Sequence, residues 1–381
     1  MQIVLYTYDL CRGREHLMPW RTLFEVAKVM NDNNHNAWII NGCYHKKDLI
    51  DYEWQGIIIK SIKAGYQQLV DYINSVDADA IFIPFVWRSG LSDLTCLSEL
   101  KGKKIAYLPG GVYSLNSAFA LWRQANFAWA KPYILDSIVP KWILCRKLKR
   151  LRFDALIGLT DITAQCAYKS GFQQIYSIPP GHDGFENMVP DYSLINKYSL
   201  QNKKFLLFTG APAPTRGVKI LLEAIDNVKE DVFLVLLMRT DVGSEFKKLI
   251  EQLKKIKNQK RIIFITEKAS SEQLRAFFSC AYYVVLPFLV IPSEIPLTFF
   301  EVLSCGTPIL TFHNGGTSLY MEVAMEISRK SVNGLSSAIL KIWDDEKLRK
   351  IRSDRALTLM DAHPSWQTVG KHWLNIITTQ E

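Results

Sequence analysis

Two carboxylates, Glu294 and Glu301, stand seven residues apart in the stretch Pro292 to Leu310, PSEIPLTFFEVLSCGTPIL. On a helix that spacing is about two turns, so both share one face if the helix reaches back to Glu294. The ends of such a helix are marked. Ser293 can N-cap it and Pro296 falls in the first turn, where a missing N–H costs nothing. Gly306 suits the left-handed residue past the end, and Pro308 prevents the helix from resuming. The apolar strand Tyr282 to Leu286 precedes it. A helix opening after a strand offers free N–H groups and a positive dipole end, here around Pro296, Leu297 and Thr298, and that is a site for phosphate oxygens. A carboxylate within reach can accept both hydroxyls of a ribose. Together the parts suit a nucleotide, with Glu301 on the ribose. A surface helix with solvated carboxylates fits the same letters.

A second set of residues points to phosphate. The strand Phe205 to Thr209 runs into Gly210-Ala211-Pro212-Ala213-Pro214-Thr215-Arg216-Gly217, and a helix from Val218 to Val228 follows. Strand, glycine-bearing loop and helix N-terminus form a phosphate cradle, and Arg216 adds a cation that can bind in two-pronged fashion. A second cation has to come from elsewhere. Arg239, leaving the strand Val232 to Met238, is one source, and a solvated strand-end arginine is the other reading of it.

These loops need a scaffold. Before residue 185, apolar strands near Ile3, Ala37, Gly56, Ala80, Lys104 and Asp154 alternate with helical stretches, and the alternation starts again at Phe205. Such a pattern gives parallel sheets covered by helices on both faces, with ligands at the carboxyl ends of the strands. The loops after Thr7, Pro84 and Leu108 are therefore functional candidates. The first holds Arg12, Gly13 and Arg14, and the last holds Gly110 and Gly111, where backbone can approach a ligand closely. Exposed loop arginines are also commonly just solvated. The expected division is 1–185, a linker 186–204, 205–365, and a final helix 366–381 with Trp366, Val369, Trp373 and Ile377 on one apolar face.

Composition narrows the partners. The 381 residues carry a net charge of +9, which suits nucleic acid, an anionic membrane or an anionic small substrate. No nucleic-acid motif accompanies the charge, so nucleic acid is not an expected partner. Seven scattered cysteines without a CxxC pair favour a reducing cytoplasm over a disulfide framework or zinc site. No apolar run has the length of a membrane span, and the N-terminal letters lack a signal peptide's basic region and cleavage site. Lys141 to Arg152, KWILCRKLKRLR, holds six Lys/Arg and no acid, with Leu144, Leu148 and Leu151 on one face. It reads either as a helix lying on the anionic inner face of a membrane or as one whose leucines pack on its own domain. His182, with no partner in sequence, reads as structural.

The letters Glu301-Val302-Leu303-Ser304-Cys305-Gly306-Thr307-Pro308-Ile309 resemble the donor motif of family-four retaining glycosyltransferases, as do the Pro-Pro-Gly-x-Asp turn at Pro179 to Asp183 and the Gly-Gly turn His313 to Thr317. The resemblance implies two Rossmann-like domains facing across a cleft, the GT-B arrangement. It also implies transfer of a sugar from a UDP- or GDP-type donor, with retention, to a glycan, lipid-linked or small-molecule acceptor. In that reading no cofactor or metal is required. Arg216 and the helix N-terminus meet the diphosphate, Glu301 the ribose, and Glu294 a sugar hydroxyl. The loop with Glu267 and Lys268 holds the base, Gly13 approaches the donor, and Arg12, Arg14, Gly110 and Gly111 lie on the acceptor side. The chain departs from the family in several places. It has one residue fewer between its two glutamates, Ala211 where an arginine is usual, no histidine near Gly110, a single glycine, Gly13, where two are common, and no glutamate after the Gly-Gly turn. A non-catalytic nucleotide-sugar-binding subunit and a sugar-nucleotide epimerase of the same fold are the alternatives.

Overall fold

The computed structural model describes residues 1–45, 48–238, 243–257 and 259–378. Apolar runs such as Ile3-Val4-Leu5 and Val284-Val285-Leu286 are fully buried, as strands covered on both faces must be, and they form the centres of two sheets. The first part of the chain runs β1 (Gln2–Tyr8), α1 (Trp20–Asp32), β2 (Asn36–Cys43), β3 (Tyr52–Trp54), β4 (Ile57–Lys63), α2 (Tyr66–Val76), β5 (Ala80–Pro84), β6 (Lys103–Leu108), α3 (Leu115–Gln124), α4 (Phe127–Ile138), α5 (Lys141–Arg150), β7 (Ala155–Gly158), α6 (Asp161–Lys169) and β8 (Ile175–Ser177). The second part runs α7 (Ser193–Lys197), β9 (Phe205–Gly210), α8 (Val218–Ile225), β10 (Phe233–Met238), α9 (Gly243–Leu253), β11 (Ile262–Ile265), α10 (Ser271–Cys280), β12 (Tyr283–Leu286), α11 (Leu297–Ser304), β13 (Ile309–Phe312), β14 (Ala324–Ile327), α12 (Val332–Trp343), α13 (Glu346–Asp361) and α14 (Trp366–Thr378).

Among the described residues the strands form an eight-stranded sheet, β3-β4-β2-β1-β5-β6-β7-β8, and a six-stranded sheet, β11-β10-β9-β12-β13-β14. Every pairing is parallel except β3 with β4. The α/β, doubly wound architecture expected from the alternation is present twice.

The two halves exchange elements. Leu121 of α3 and Ala130 of α4 are buried in the core built on β9, β10 and α8, so this helical hairpin from the first half docks on the second. In return α14 buries Trp366, Val369, Trp373, Leu374 and Ile377 in the core of the first sheet. Gly370 permits that crossing, because a Cβ there would lie 2.4 Å from Val29 Cβ.

Three local points are decided by the structure. Residues 114–152 form three helices, capped separately because Ser114 and Asn126 accept from Ser117 N and Trp129 N and Pro140 precedes the third. The leucine face of α5 is not available to lipid. Leu144 and Leu148 are fully buried in the first core, against the turn Trp87–Leu91 and α6, while Arg146, Lys149 and Arg150 remain exposed. The stretch 186–204 is not wholly irregular: Leu194, Ile195 and Leu200 are apolar enough to seat α7 and its exit in the second core.

Candidate active site in the crevice between the sheets

The loop after β9 ends in a single 3-10 turn, Pro214–Arg216, followed by Gly217 at φ 68°. Gly217 is obligatory there, since a Cβ would lie 2.0 Å from the Pro287 carbonyl oxygen. Leu289 N donates to Thr215 O at 2.8 Å, which laces the loop to the segment leaving β12. The Arg216 guanidinium stacks over the Phe288 ring, 4.4 Å from its centroid, and its field reaches Tyr133 of α4. Arg216 thus stands at the N-terminus of α8, under the docked hairpin, with its guanidinium over an aromatic ring.

The segment after β12 differs from its expected form. The helix begins at Leu297 with Pro296 in the N-cap position, and Ser293 does not cap it. The reason is local. Glu294 takes a left-handed φ of 57°, and Ile295 N donates to Ser293 O at 2.6 Å, so a tight turn precedes the helix. Glu294 and Glu301 consequently do not share a helix face. Glu301 lies half-buried on α11, whereas Glu294, only 3 % exposed, points into the first half of the molecule. Its Oε1 accepts from Thr160 Oγ1 at 2.5 Å and from Thr163 Oγ1 at 2.6 Å. Its Oε2 is buried and has no hydrogen-bond partner among the described residues. Burial raises the pKa of this carboxyl, and the two threonine hydroxyls partly offset that.

Two glycines make room for this carboxylate. A Cβ on Gly111 would lie 2.6 Å from the Glu294 side chain, and one on Gly316 would lie 2.5 Å from the Glu294 carbonyl oxygen. Gly110 faces the Pro292 carbonyl, to which Tyr113 Oη donates at 2.9 Å. Gly111, Tyr113, Ser117, Glu294, Asn314 and Gly316 line a small cavity between the two halves. Lys330 Nζ stands behind it, donating to Ser117 Oγ, Leu289 O and Asn314 Oδ1, each at 2.7 Å.

The other candidates fall elsewhere. Arg12 is exposed and stacks over Tyr52, Arg14 is exposed, and Gly13, at φ 89°, sits in open space with its N–H on Glu15 Oε1 at 3.0 Å. The Glu267 carboxylate is taken by Tyr198 Oη at 2.5 Å and Lys197 Nζ at 2.9 Å, and Lys268 is exposed. Arg239 lies outside the described residues. His182 Nδ1 accepts from Gly184 N at 3.2 Å, in keeping with a structural role in the turn. Thr160, Thr163, Tyr113, Asn314 and Lys330 were not legible as site residues. Thr160 alone left a sign, standing before a helix after a buried strand, the setting of an N-cap.

Two parallel sheets with their carboxyl edges turned to one crevice, a phosphate-type loop on one side and a bridging carboxylate between, define the GT-B class of fold. Residues 194–357 of this chain match the model of the family described as glycosyl transferases group 1. An uncharacterised glycosyltransferase of Methanocaldococcus jannaschii is 28% identical over 172 residues, 42% of this chain and 44% of that protein, so the match spans less than half the length of that relative. Sucrose-phosphate synthase from Thermosynechococcus elongatus superposes with a TM-score of 0.74 at 15% identity, covering 98% of this chain and 97% of the other. Anabaena HepE in complex with UDP and glucose gives 0.70 at 15% identity over 100% of both chains. At these identities the superpositions establish the shared fold.

Proposed function

We propose that this chain transfers a sugar from a nucleotide-diphosphate sugar to a glycan, lipid-linked or small-molecule acceptor, with retention at the anomeric carbon. The observation that carries the reading is that Arg216 stands at the N-terminus of α8, in a loop laced to the segment leaving β12, while Glu294, in the turn before α11, bridges to Thr160 of the first half. As the bond from the anomeric carbon to the diphosphate oxygen breaks, negative charge grows on the leaving group. Fixed donors and a stacked guanidinium stabilise that charge without reorganising, and in this reading they do so without a metal ion. Glu301 holds the ribose. Glu294, with one oxygen held by threonines and the other unpartnered, accepts a hydrogen bond from a sugar hydroxyl. Retention is included because the Glu301 to Pro308 letters resemble retaining enzymes; the acceptor then attacks on the side the diphosphate leaves. A UDP-type donor is favoured by the ligands of the HepE structure.

Calorimetric titration of UDP and GDP, without metal, into wild type and Glu301→Ala tests the donor half. Binding of one nucleotide, weakened at least tenfold (~1.4 kcal/mol) by the substitution, supports it. Failure of wild type to bind either nucleotide overturns it.

A further inference from the structure

The carboxyl edge of the first sheet carries a charged group that the donor reading leaves unused. Strands β1, β5 and β6 are neighbours, so the loops that leave them open side by side. Tyr8 ends β1, Arg88 lies in the turn Trp87–Leu91 after β5, and Tyr113 follows β6. Asp136, near the end of α4 and only 1% exposed, forms an ion pair with Arg88 Nη1. Its other oxygen accepts from Arg88 N at 2.8 Å, so one buried carboxylate fixes both the peptide and the side chain of this arginine. The turn itself is pinned by Trp87 Nε1 donating to Gly111 O at 3.2 Å.

An arginine placed only to neutralise Asp136 could be buried with it. Arg88 is not: its side chain keeps 37% exposure. Tyrosines lie near it. Tyr113 and Tyr133 meet edge to face, with centroids 5.1 Å apart. Tyr8, Tyr113 and Tyr133 all lie in the field of the guanidinium, which opposes the upward push that burial gives their phenols, and Tyr133 lies in the field of Arg216 as well. Arg88 therefore stands at the carboxyl edge of the first sheet, and Tyr133 of the docked hairpin lies in the fields of both Arg88 and Arg216. A guanidinium held along one edge by a buried acid and open along another is preorganised for a two-pronged bond to phosphate or carboxylate.

We propose that Arg88, fixed by Asp136 and flanked by Tyr8 and Tyr113, is an anion site on the acceptor side of the crevice, and that it takes the phosphate or carboxylate group of an acidic acceptor. This rests on the transferase reading for the word acceptor, but the anion site itself does not. The donor diphosphate is the other source of the same chemistry. It has its own loop on the second sheet, and the test separates the two.

Inorganic phosphate is titrated calorimetrically, at constant ionic strength, into protein already saturated with UDP. Saturable binding to wild type is expected. Arg88→Gln should weaken it at least tenfold while UDP affinity stays within twofold. Should Arg88→Gln unfold by stranding Asp136, Arg88→Lys, which keeps a cation for Asp136 and loses the fork, should still weaken phosphate severalfold. The proposal is overturned if UDP-saturated wild type does not bind phosphate, if the folded variants bind it as wild type does, or if they lose UDP instead. If wild type fails to bind UDP, the donor reading fails by itself. Phosphate titration of the free protein then decides: loss in Arg88→Lys but not in Arg216→Gln supports the site, and the reverse overturns it.

Discussion

The carboxylate of Glu294 and the hydroxyl of Thr160 meet at 2.5 Å across the crevice, 134 residues apart in the chain. Thr160 also caps α6 by accepting from Thr163 N, so one side chain ends a helix of the first half and holds an acid of the second. Exchanging the acid for its amide tests that pairing. In Glu294→Gln the charged hydrogen bonds to Thr160, Thr163 and sugar are lost while shape is kept. A bond to a charged group contributes roughly 1.5–3 kcal/mol, so transfer should fall about 10- to 150-fold. Steady-state turnover with a UDP-sugar and a saturating acceptor, beside a melting curve that moves little, checks it.

Gly217 and Gly13 both have positive φ, yet they should answer differently to alanine. At Gly13 nothing lies within 4 Å of the added methyl, and only backbone strain of about 1 kcal/mol is expected. At Gly217 the methyl would strike the Pro287 carbonyl at 2.0 Å, so the phosphate loop must shift. Gly217→Ala should therefore lose UDP binding, whereas Gly13→Ala should cost only a few degrees in melting temperature. Equal UDP affinities would disprove the role given to the loop.

Lys330 should leave a mark on the pH profile of stability. Burial of its ammonium lowers its pKa to about 7, against the opposing pull of Glu326. Between about 7 and the ordinary lysine value the unfolded chain binds more protons than the folded one, so this group makes stability rise with pH across that window. Lys330→Met removes that contribution and also leaves Ser117, Leu289 and Asn314 without their donor. Denaturant unfolding at pH 7 and pH 9 should show a smaller gain with pH for the variant than for wild type.

The docked hairpin keeps an aromatic patch in water. Phe119, Trp122 and Phe127 are 41%, 46% and 50% exposed and contact one another at centroid distances of 6.0 and 5.5 Å. Arg123 and Lys131 are exposed on the same hairpin. Rings beside basic residues suit the headgroup region of an anionic bilayer, each nearby cation adding about 1 kcal/mol. The protein should sediment with anionic but not neutral vesicles, and Trp122→Ser with Phe127→Ser should reduce the bound fraction severalfold. Unchanged recovery would assign the patch another use.

Much of the scaffold could be read from letters because it rests on period and punctuation. Gly306 takes its expected positive φ of 67°, and the face Trp366, Val369, Trp373 and Ile377 of α14 is buried. The leucines of α5 were visible as a face, but periodicity does not say what covers a face. The site was harder. Glu294 is kept off its expected helix by its own left-handed backbone, and its partners come from α6 and its cap in the other half. Arg88 and Asp136 lie 48 residues apart with no motif joining them. Turn geometry and long-range pairing, rather than local pattern, decide such positions.

Trp373 packs against Phe82 and Tyr107, with ring centroids 5.0 and 5.5 Å away, filling the middle of the first sheet from the last helix of the chain. During synthesis the strands that surround it are made first and must wait for it. Domains ordinarily fold as they emerge, amino end first. Here the earlier half stays incomplete, with apolar surface uncovered, until the later half has been translated and α14 has crossed back. The maturation of the first half is thus tied to a single late event, and a ribosome that stalls anywhere before Trp366 leaves that half without its closing helix.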